Sequence, residues 1–199
     1  MKKLASTQVA IDNTIAARWS PRAFDGDKLV TKEQVIALLE AARWAPSCFG
    51  DQPWRFVVFD KATDEMGWKA AFDCLVEGNQ VWAKDTSLLI LVCADTLFSH
   101  NQKPNRWAQY DTGAAAENLC LQATSMGLAA HQMGGFNADV AREKFNIPEQ
   151  YTLMSVIAVG YQANVENLPD TLKERELADR KRKALGELFY SGVWNKPVV

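Results

Sequence analysis

From Leu88 to Ala94 the chain reads Leu-Leu-Ile-Leu-Val-Cys-Ala, an unbroken apolar run. Such a run predicts a strand covered on both faces. Further strands are expected at Phe56–Phe59 and Leu153–Val159, and a shorter one at Leu128–Met133 ending in a Gly134-Gly135 turn. Other stretches carry the helical period. Residues 8–18 place Val9, Ile15 and Ala16 for a helix that stops before Ser20-Pro21. Thr31, with Gln34 three residues on, has the pattern of a capping box. Behind it Val35, Leu38, Leu39 and Ala42 share one face, and the helix stops near Pro46. Asp64–Leu75 predicts another helix, with Gly78-Asn79 as a turn or cap. Tyr110–Met126 predicts a long Ala-rich helix, and its Gly113 to Ala116 let a neighbouring helix approach closely. Asn137 caps a helix to about Phe145, and residues 97–107 read as a loop. Residues 164–183 are charged and contain Pro169, which suggests a surface arm, with Leu185–Tyr190 as a last strand. No repeat and no break in composition divides the chain, so residues 1–199 are expected to form one domain.

Strands alternating with helices suggest a doubly wound sheet. The nucleotide fingerprints of that fold are missing: there is no G-x-G-x-x-G after a strand and no G-x-x-x-x-G-K-S/T. Any phosphate site must therefore be built from side chains. The bulk numbers narrow the field. A chain of 199 residues that is 48% hydrophobic suits one compact core. A net charge of -2 does not favour nucleic acid or an anionic membrane surface as partner. Cys48, Cys74, Cys93 and Cys120 are scattered without a C-x-x-C pair, against a zinc site or a redox dithiol. The start, Met1-Lys2-Lys3-Leu4-Ala5, is basic but lacks the apolar stretch of a signal peptide, and no run is long enough to span a bilayer. The cytoplasm is the expected compartment. Seven tryptophans have two destinations, the core or a flat-ligand site and subunit interface.

Two segments carry the chemistry. Arg18-Trp19-Ser20-Pro21-Arg22 puts Arg18, Ser20 and Arg22 on one face if extended. Two guanidinium forks and a hydroxyl can meet a phosphate from one side. The bland reading is a surface Arg pair beside a Pro turn, with Trp19 as packing. Some twenty residues on, Pro46-Ser47-Cys48 leads to Gln52-Pro53-Trp54. Pro53 biases Gln52 toward an extended shape, which lets its amide face the edge of a planar ring. The bland reading is a helix-to-strand connection with a buried Trp.

The two segments at this separation resemble the nitroreductase family. So do Gly78-Asn79-Gln80-Val81-Trp82, Asp111 to Leu119, Gly127-Leu128, Gln132-Met133-Gly134-Gly135-Phe136, Val159-Gly160-Tyr161 and the basic Arg180 to Lys183, in that order. The resemblance covers nearly the whole chain. It implies an α+β fold with a mostly antiparallel central sheet flanked by helices. It also implies a homodimer with FMN at the interface and a C-terminal arm reaching the partner. Arg18, Ser20 and Arg182 would contact the FMN phosphate, with Trp19 and Arg180 nearby. Arg22 would lie at the N1/O2 edge of the ring as an electronic tuner. Asn79 and Gln52 would bond polar parts of the flavin. Pro46, Ser47 and Cys48 would come from the other subunit. Gln132, Met133, Gly134 and Gly135 would cover one ring face, with a backbone N–H near N5. No side chain is expected as a catalytic group and no metal is needed.

The implied activity is transfer of hydride from NADH or NADPH through the flavin to a nitroaromatic, a quinone or a related small oxidised acceptor. Its rivals are a specialised family member (dehalogenase, heterocycle oxidase or flavin-modifying enzyme) and a flavin-binding sensor or carrier with little turnover. A further rival is a plain dimeric interaction protein. Two departures bear on substrate range. Gly50 stands where relatives commonly have Asn, and Trp82 stands where some carry Lys. His131 reads either as a proton donor or as a satisfied core residue.

Overall fold

A computed structural model describes residues 3–199. Met1 and Lys2, part of the basic start weighed above, lie outside it. Helix α1 spans Asn13–Ala17 and α2 Lys32–Arg43; strand β1 spans Trp54–Asp60. Helices α3 (Glu65–Phe72) and α4 (Glu77–Ala83) lead to β2 (Leu88–Asp95). Helix α5 (Ala108–Ser125), β3 (Ala129–Met133), α6 (Ala138–Lys144), β4 (Tyr151–Gly160) and α7 (Asp170–Leu177) follow.

The sheet order is β1-β2-β4-β3 and all its pairings are antiparallel, which removes the doubly wound alternative and leaves the expected α+β architecture. The β2 run lies between β1 and β4, with Leu91 opposite both Val57 and Val156. Its alternate side chains serve two cores. Leu89, Leu91 and Cys93 pack with Trp68, Ala71 and Trp82 of α3 and α4. Leu88, Ile90 and Val92 pack with Leu38 and Ala42 of α2 and with Ala115, Ala116 and Leu119 of α5. Burial on both faces explains the absence of polar positions, since each fully buried Leu or Ile contributes roughly 1.5–3 kcal/mol. Ala115 and Ala116 of α5 face α2 and the sheet, as their size suggested, whereas Gly113 is exposed with open space beside it.

Four local expectations need correction. The helix expected over residues 8–18 is confined to Asn13–Ala17, because the Asp12 carboxylate accepts the Thr14 N–H and starts the helix there. Val9, with nothing to cover it, stays exposed. Gly78 and Asn79 are not a turn; they lie in the first turn of α4, where Val76 O accepts the N–H of Asn79 and Gln80. Leu185–Tyr190 is not a strand. It holds a single tight turn at Leu185–Glu187, and Tyr190 then bridges to Pro197 in a small hairpin. The charged stretch 164–183 is not simply a solvated arm: Leu172 and Glu176 are buried on one face of α7, and Leu168, in extended backbone just before the helix, is buried with them.

Candidate functional site

The segment after α1 is extended at Arg18 (φ −63°, ψ 126°), anchored by its N–H to Thr14 O at 2.9 Å. Arg18 Nε pairs with Glu117 Oε1 of α5 at 3.2 Å. From the far end of the chain, Arg180 donates to Lys3 O at 2.6 Å and Ala16 O at 2.8 Å. Arg182 binds only the adjacent Lys181 O, at 2.9 Å, among the described residues. Burial lowers the Arg180 pKa from its usual value, and the like charges of Arg18 and Arg182 lower it further. Three guanidiniums thus gather where one carboxylate, Glu117, is paired to them. Ser20 is half-buried beside them, and its hydroxyl has no partner among the described residues. Trp19 packs under Lys3 Nζ, 4.8 Å from the ring centroid. Arg22 completes the segment, its backbone N–H and guanidinium turned toward Glu176.

A second group comes from the end of β3 and the start of α4. Gly135 O accepts two donors, Val76 N–H at 3.1 Å and Asn79 Nδ2 at 2.9 Å. A Cβ on Gly135 would meet Asn79 Nδ2 and Val76 Cγ2 at 2.8 Å each, so the position has no room for a side chain. The amides of Gly134 and Gly135 have no backbone acceptor among the described residues. Asn79 keeps its carbonyl oxygen free. Gln132 is exposed, with Nε2 3.6 Å from Cys120 Sγ. The Met133 side chain is buried in the core, so at this position only backbone is available to a ligand.

His131, between them in register, is a core residue. Its ring lies 4.5 Å from Trp82, which itself stacks on Phe24 at 5.9 Å. Pro21 O, which can only accept, lies 2.9 Å from Nδ1, so Nδ1 carries a proton and donates it in a hydrogen bond to Pro21 O. Burial pushes the His131 pKa down to about 4, with the Pro21 bond opposing and the Arg22 charge assisting. A partly buried imidazole that is neutral near pH 7 is not a proton source there. A stability consequence follows. The folded pKa is below the unfolded one, so between pH 6.5 and about 4 the unfolded chain takes up a proton that the folded chain refuses. Stability should fall by about 2 kcal/mol from pH 7 to 5 on this account. His131→Gln should lose that part of the pH dependence, as read from urea melts at the two pH values.

The turn at residues 46–52 forms a third group. Cys48 N–H donates to the buried Asp111 of α5 at 2.9 Å. Ser47 Oγ accepts the N–H of Gln52 at 3.0 Å. This bond holds Gln52 at φ 51°, left-handed rather than extended, so the expectation drawn from Pro53 is corrected. Phe49 is left-handed too, at φ 57°, and 84% exposed, its ring against Phe98 and His100. Pro46 is exposed, and Ser47 and Cys48 are half-buried. The structure brings Arg18–Arg22 together with Arg180 and Arg182. No hydrogen bond or ion pair joins Pro46–Gln52 to that cluster among the described residues. Both groups rest on α5, Asp111 holding one and Glu117 the other, about 9 Å apart along the axis.

Sequence reasoning missed Glu117, Asp111 and Glu176. The spacing 168-172-176 was the available signal for Glu176; nothing in the pattern marked the other two. A hollow of about 610 Å³ lined by Lys61, Met66, Trp68 and Lys144 lies elsewhere and shares no residue with these groups. Among the described residues no helix is long and apolar enough to cross a membrane, and no cluster of His, Cys, Asp and Glu could hold a metal.

A crystal structure of an oxidoreductase containing FMN is similar over 96% of both chains, with 36% identity and a TM-score of 0.89. An uncharacterized 15.4 kDa protein of Mycolicibacterium smegmatis is 36% identical over 62% of this chain and 82% of its own. A putative NADH dehydrogenase/NAD(P)H nitroreductase of Archaeoglobus fulgidus is 31% identical over 74% of this chain and 82% of its own. The family model described as Nitroreductase family matches residues 15–161, from within α1 through β4, and the chain belongs to that family.

Proposed function

We propose that the chain takes hydride from NADH or NADPH and passes it, through bound FMN, to a small oxidised acceptor such as a nitroaromatic, a quinone or an activated alkene. The chain is an FMN-dependent NAD(P)H oxidoreductase. The observation that carries this reading is the gathering of Arg18, Arg180 and Arg182, with Glu117 as the one paired carboxylate. That group holds excess positive charge, and a phosphate dianion restores the balance. The residues therefore fit the phosphate of a mononucleotide. Bound FMN supplies the ring position at which hydride arrives and leaves.

The chain's own part is binding and orientation. Arg18, Ser20 and Arg182 hold the phosphate, and Arg180 ties the two chain ends together around it. The free amides of Gly134 and Gly135 and the Asn79 carbonyl face the ring's polar edge. Arg22 sets a cation where negative charge collects on reduction, in a site that excludes much of the water. Gln132 borders the ring, and Pro46, Ser47, Cys48 and Gln52 complete the site of a second copy, which makes the working unit a homodimer. The C-terminal hairpin offers that copy an apolar surface in Phe189, Val193, Trp194 and Val198, all more than half exposed here. The place of work is the cytoplasm, with neither nucleic acid nor membrane as partner.

Purified protein should be yellow, hold one FMN per chain and lose its colour on anaerobic mixing with NADH or NADPH. An acceptor panel then ranks the substrates. A colourless protein that takes up no added FMN rules the reading out. Sedimentation should give a dimer; a monomer with stoichiometric FMN would end the shared-site part of it.

A further inference from the structure

Glu176 has no solvent exposure, the lowest of any charged residue among those described. Its carboxylate accepts the Arg22 N–H at 2.9 and 3.0 Å and the Ala23 N–H at 3.3 Å. Arg22 Nη1 stands 3.8 Å from Oε2. The Glu176 backbone oxygen in turn accepts Lys3 Nζ at 2.5 Å. Removing a carboxylate from water costs several kcal/mol even after relaxation. The buried pair Leu168 and Leu172 could have been followed by a third leucine without that cost. The charge has a specific recipient. It touches one face of the segment Arg22–Ala23, while two residues upstream the same segment supplies Ser20 to the proposed phosphate site. Burial lowers the Arg22 pKa from its usual value, the Glu176 charge opposes this, and Arg175 on the same helix adds to it.

We infer that Glu176 is a positioning residue that draws the Arg22 guanidinium toward itself and offsets part of its charge, so that the bound flavin is harder to reduce than Arg22 alone would make it. The inference rests on the FMN reading above. Two N–H bonds fix the backbone at Arg22, and the carboxylate fixes the direction of its side chain. What reaches the ring is the field of a partly neutralised cation. The same pairing holds α7 against the site, which couples the geometry of the C-terminal segment to the electronics of the ring.

The test is potentiometry of FMN-loaded protein, with flavin affinity and melting temperature measured alongside. Arg22→Gln should lower the midpoint potential. Glu176→Gln should raise it, by an amount equal to about a tenfold change in the two-electron equilibrium, or ~30 mV. The double variant Arg22→Gln/Glu176→Gln leaves neither charge stranded, and its potential should match that of Arg22→Gln. Glu176→Asp keeps the charge but withdraws it by one methylene, and should raise the potential less than Glu176→Gln does. If Glu176→Gln does not fold or does not hold flavin, the comparison of Glu176→Asp with wild type and of the double variant with Arg22→Gln decides the matter. A potential that stays unchanged or falls in Glu176→Gln, or in Glu176→Asp where only that variant folds, overturns the inference, even if melting temperature drops. So does a double variant that lies above Arg22→Gln by as much as Glu176→Gln lies above wild type, for the carboxylate then acts without Arg22. Wild-type protein that binds no FMN defeats the FMN reading itself, whereas bound FMN with an unmoved potential defeats only the role of Glu176.

Discussion

Arg18→Ala is expected to weaken FMN by about 10- to 150-fold while leaving riboflavin binding unchanged, because a charge-assisted contact is worth roughly 1.5–3 kcal/mol. The guanidinium has its Nε on Glu117 at 3.2 Å, and the rest of its fork is free for a second anion. Removal takes away one of three cations and also exposes the phosphate to Glu117, whose charge then has no partner. Both effects act on the phosphate and neither on the ring. Arg18→Lys should fall between, since it keeps the charge and loses the planar fork. Titrations of apoprotein with the two flavins provide the readout. Equal losses for both would put Arg18 somewhere other than the phosphate.

Gly135→Ala is expected to weaken FMN and riboflavin alike, by about 1–3 kcal/mol, the usual cost of forcing an extra group into a packed site. The new Cβ would meet Asn79 Nδ2 and Val76 Cγ2 at 2.8 Å. Asn79 can swing away, but only by leaving Gly135 O and carrying its carbonyl oxygen out of place. Val76 is branched and has little freedom to follow. The turn that offers the Gly134 and Gly135 amides would then be distorted while the arginine cluster stays intact. The two variants thus separate the ends of the cofactor: one should distinguish FMN from riboflavin and the other should not. A Gly135→Ala protein with full affinity for both flavins would show that this turn does not face the ring.

What could be read in advance depended on whether the signal was local. The capping box is local, and both of its bonds form: Gln34 N–H to Thr31 Oγ1 and Thr31 N–H to Gln34 Oε1. Asn137 caps α6 in the same way. The β2 run is local too, although apolar continuity says nothing of strand direction, and the antiparallel sheet had to come from resemblance rather than pattern. Gln52 went the other way. A proline after it favours extended backbone, but a tertiary bond to Ser47 Oγ prevails over that preference. Glu176 was hidden by its own chemistry, for a glutamate among Lys173, Glu174 and Arg175 looks like part of a solvated helix. Its partner lies 154 positions away, beyond the reach of any periodicity. The arginines of the proposed phosphate site were legible as types, while the carboxylate that pairs with Arg18 was not.

The bond from Arg180 to Lys3 O joins positions 177 apart, and Arg180 also reaches back to Ala16. This closure sets a clock on the ribosome. The Arg18 segment emerges early, yet Arg180 and Arg182, its companions in the cluster, are made roughly 10–30 s later at ordinary rates of synthesis. Early in that interval Arg18 has no partner, and once Glu117 is made it has one carboxylate but not yet its companion cations. Capture of FMN at the proposed site should therefore wait for Arg180 and Arg182, and a ribosome-stalled chain ending before Arg180 should bind FMN more weakly than a chain that includes both.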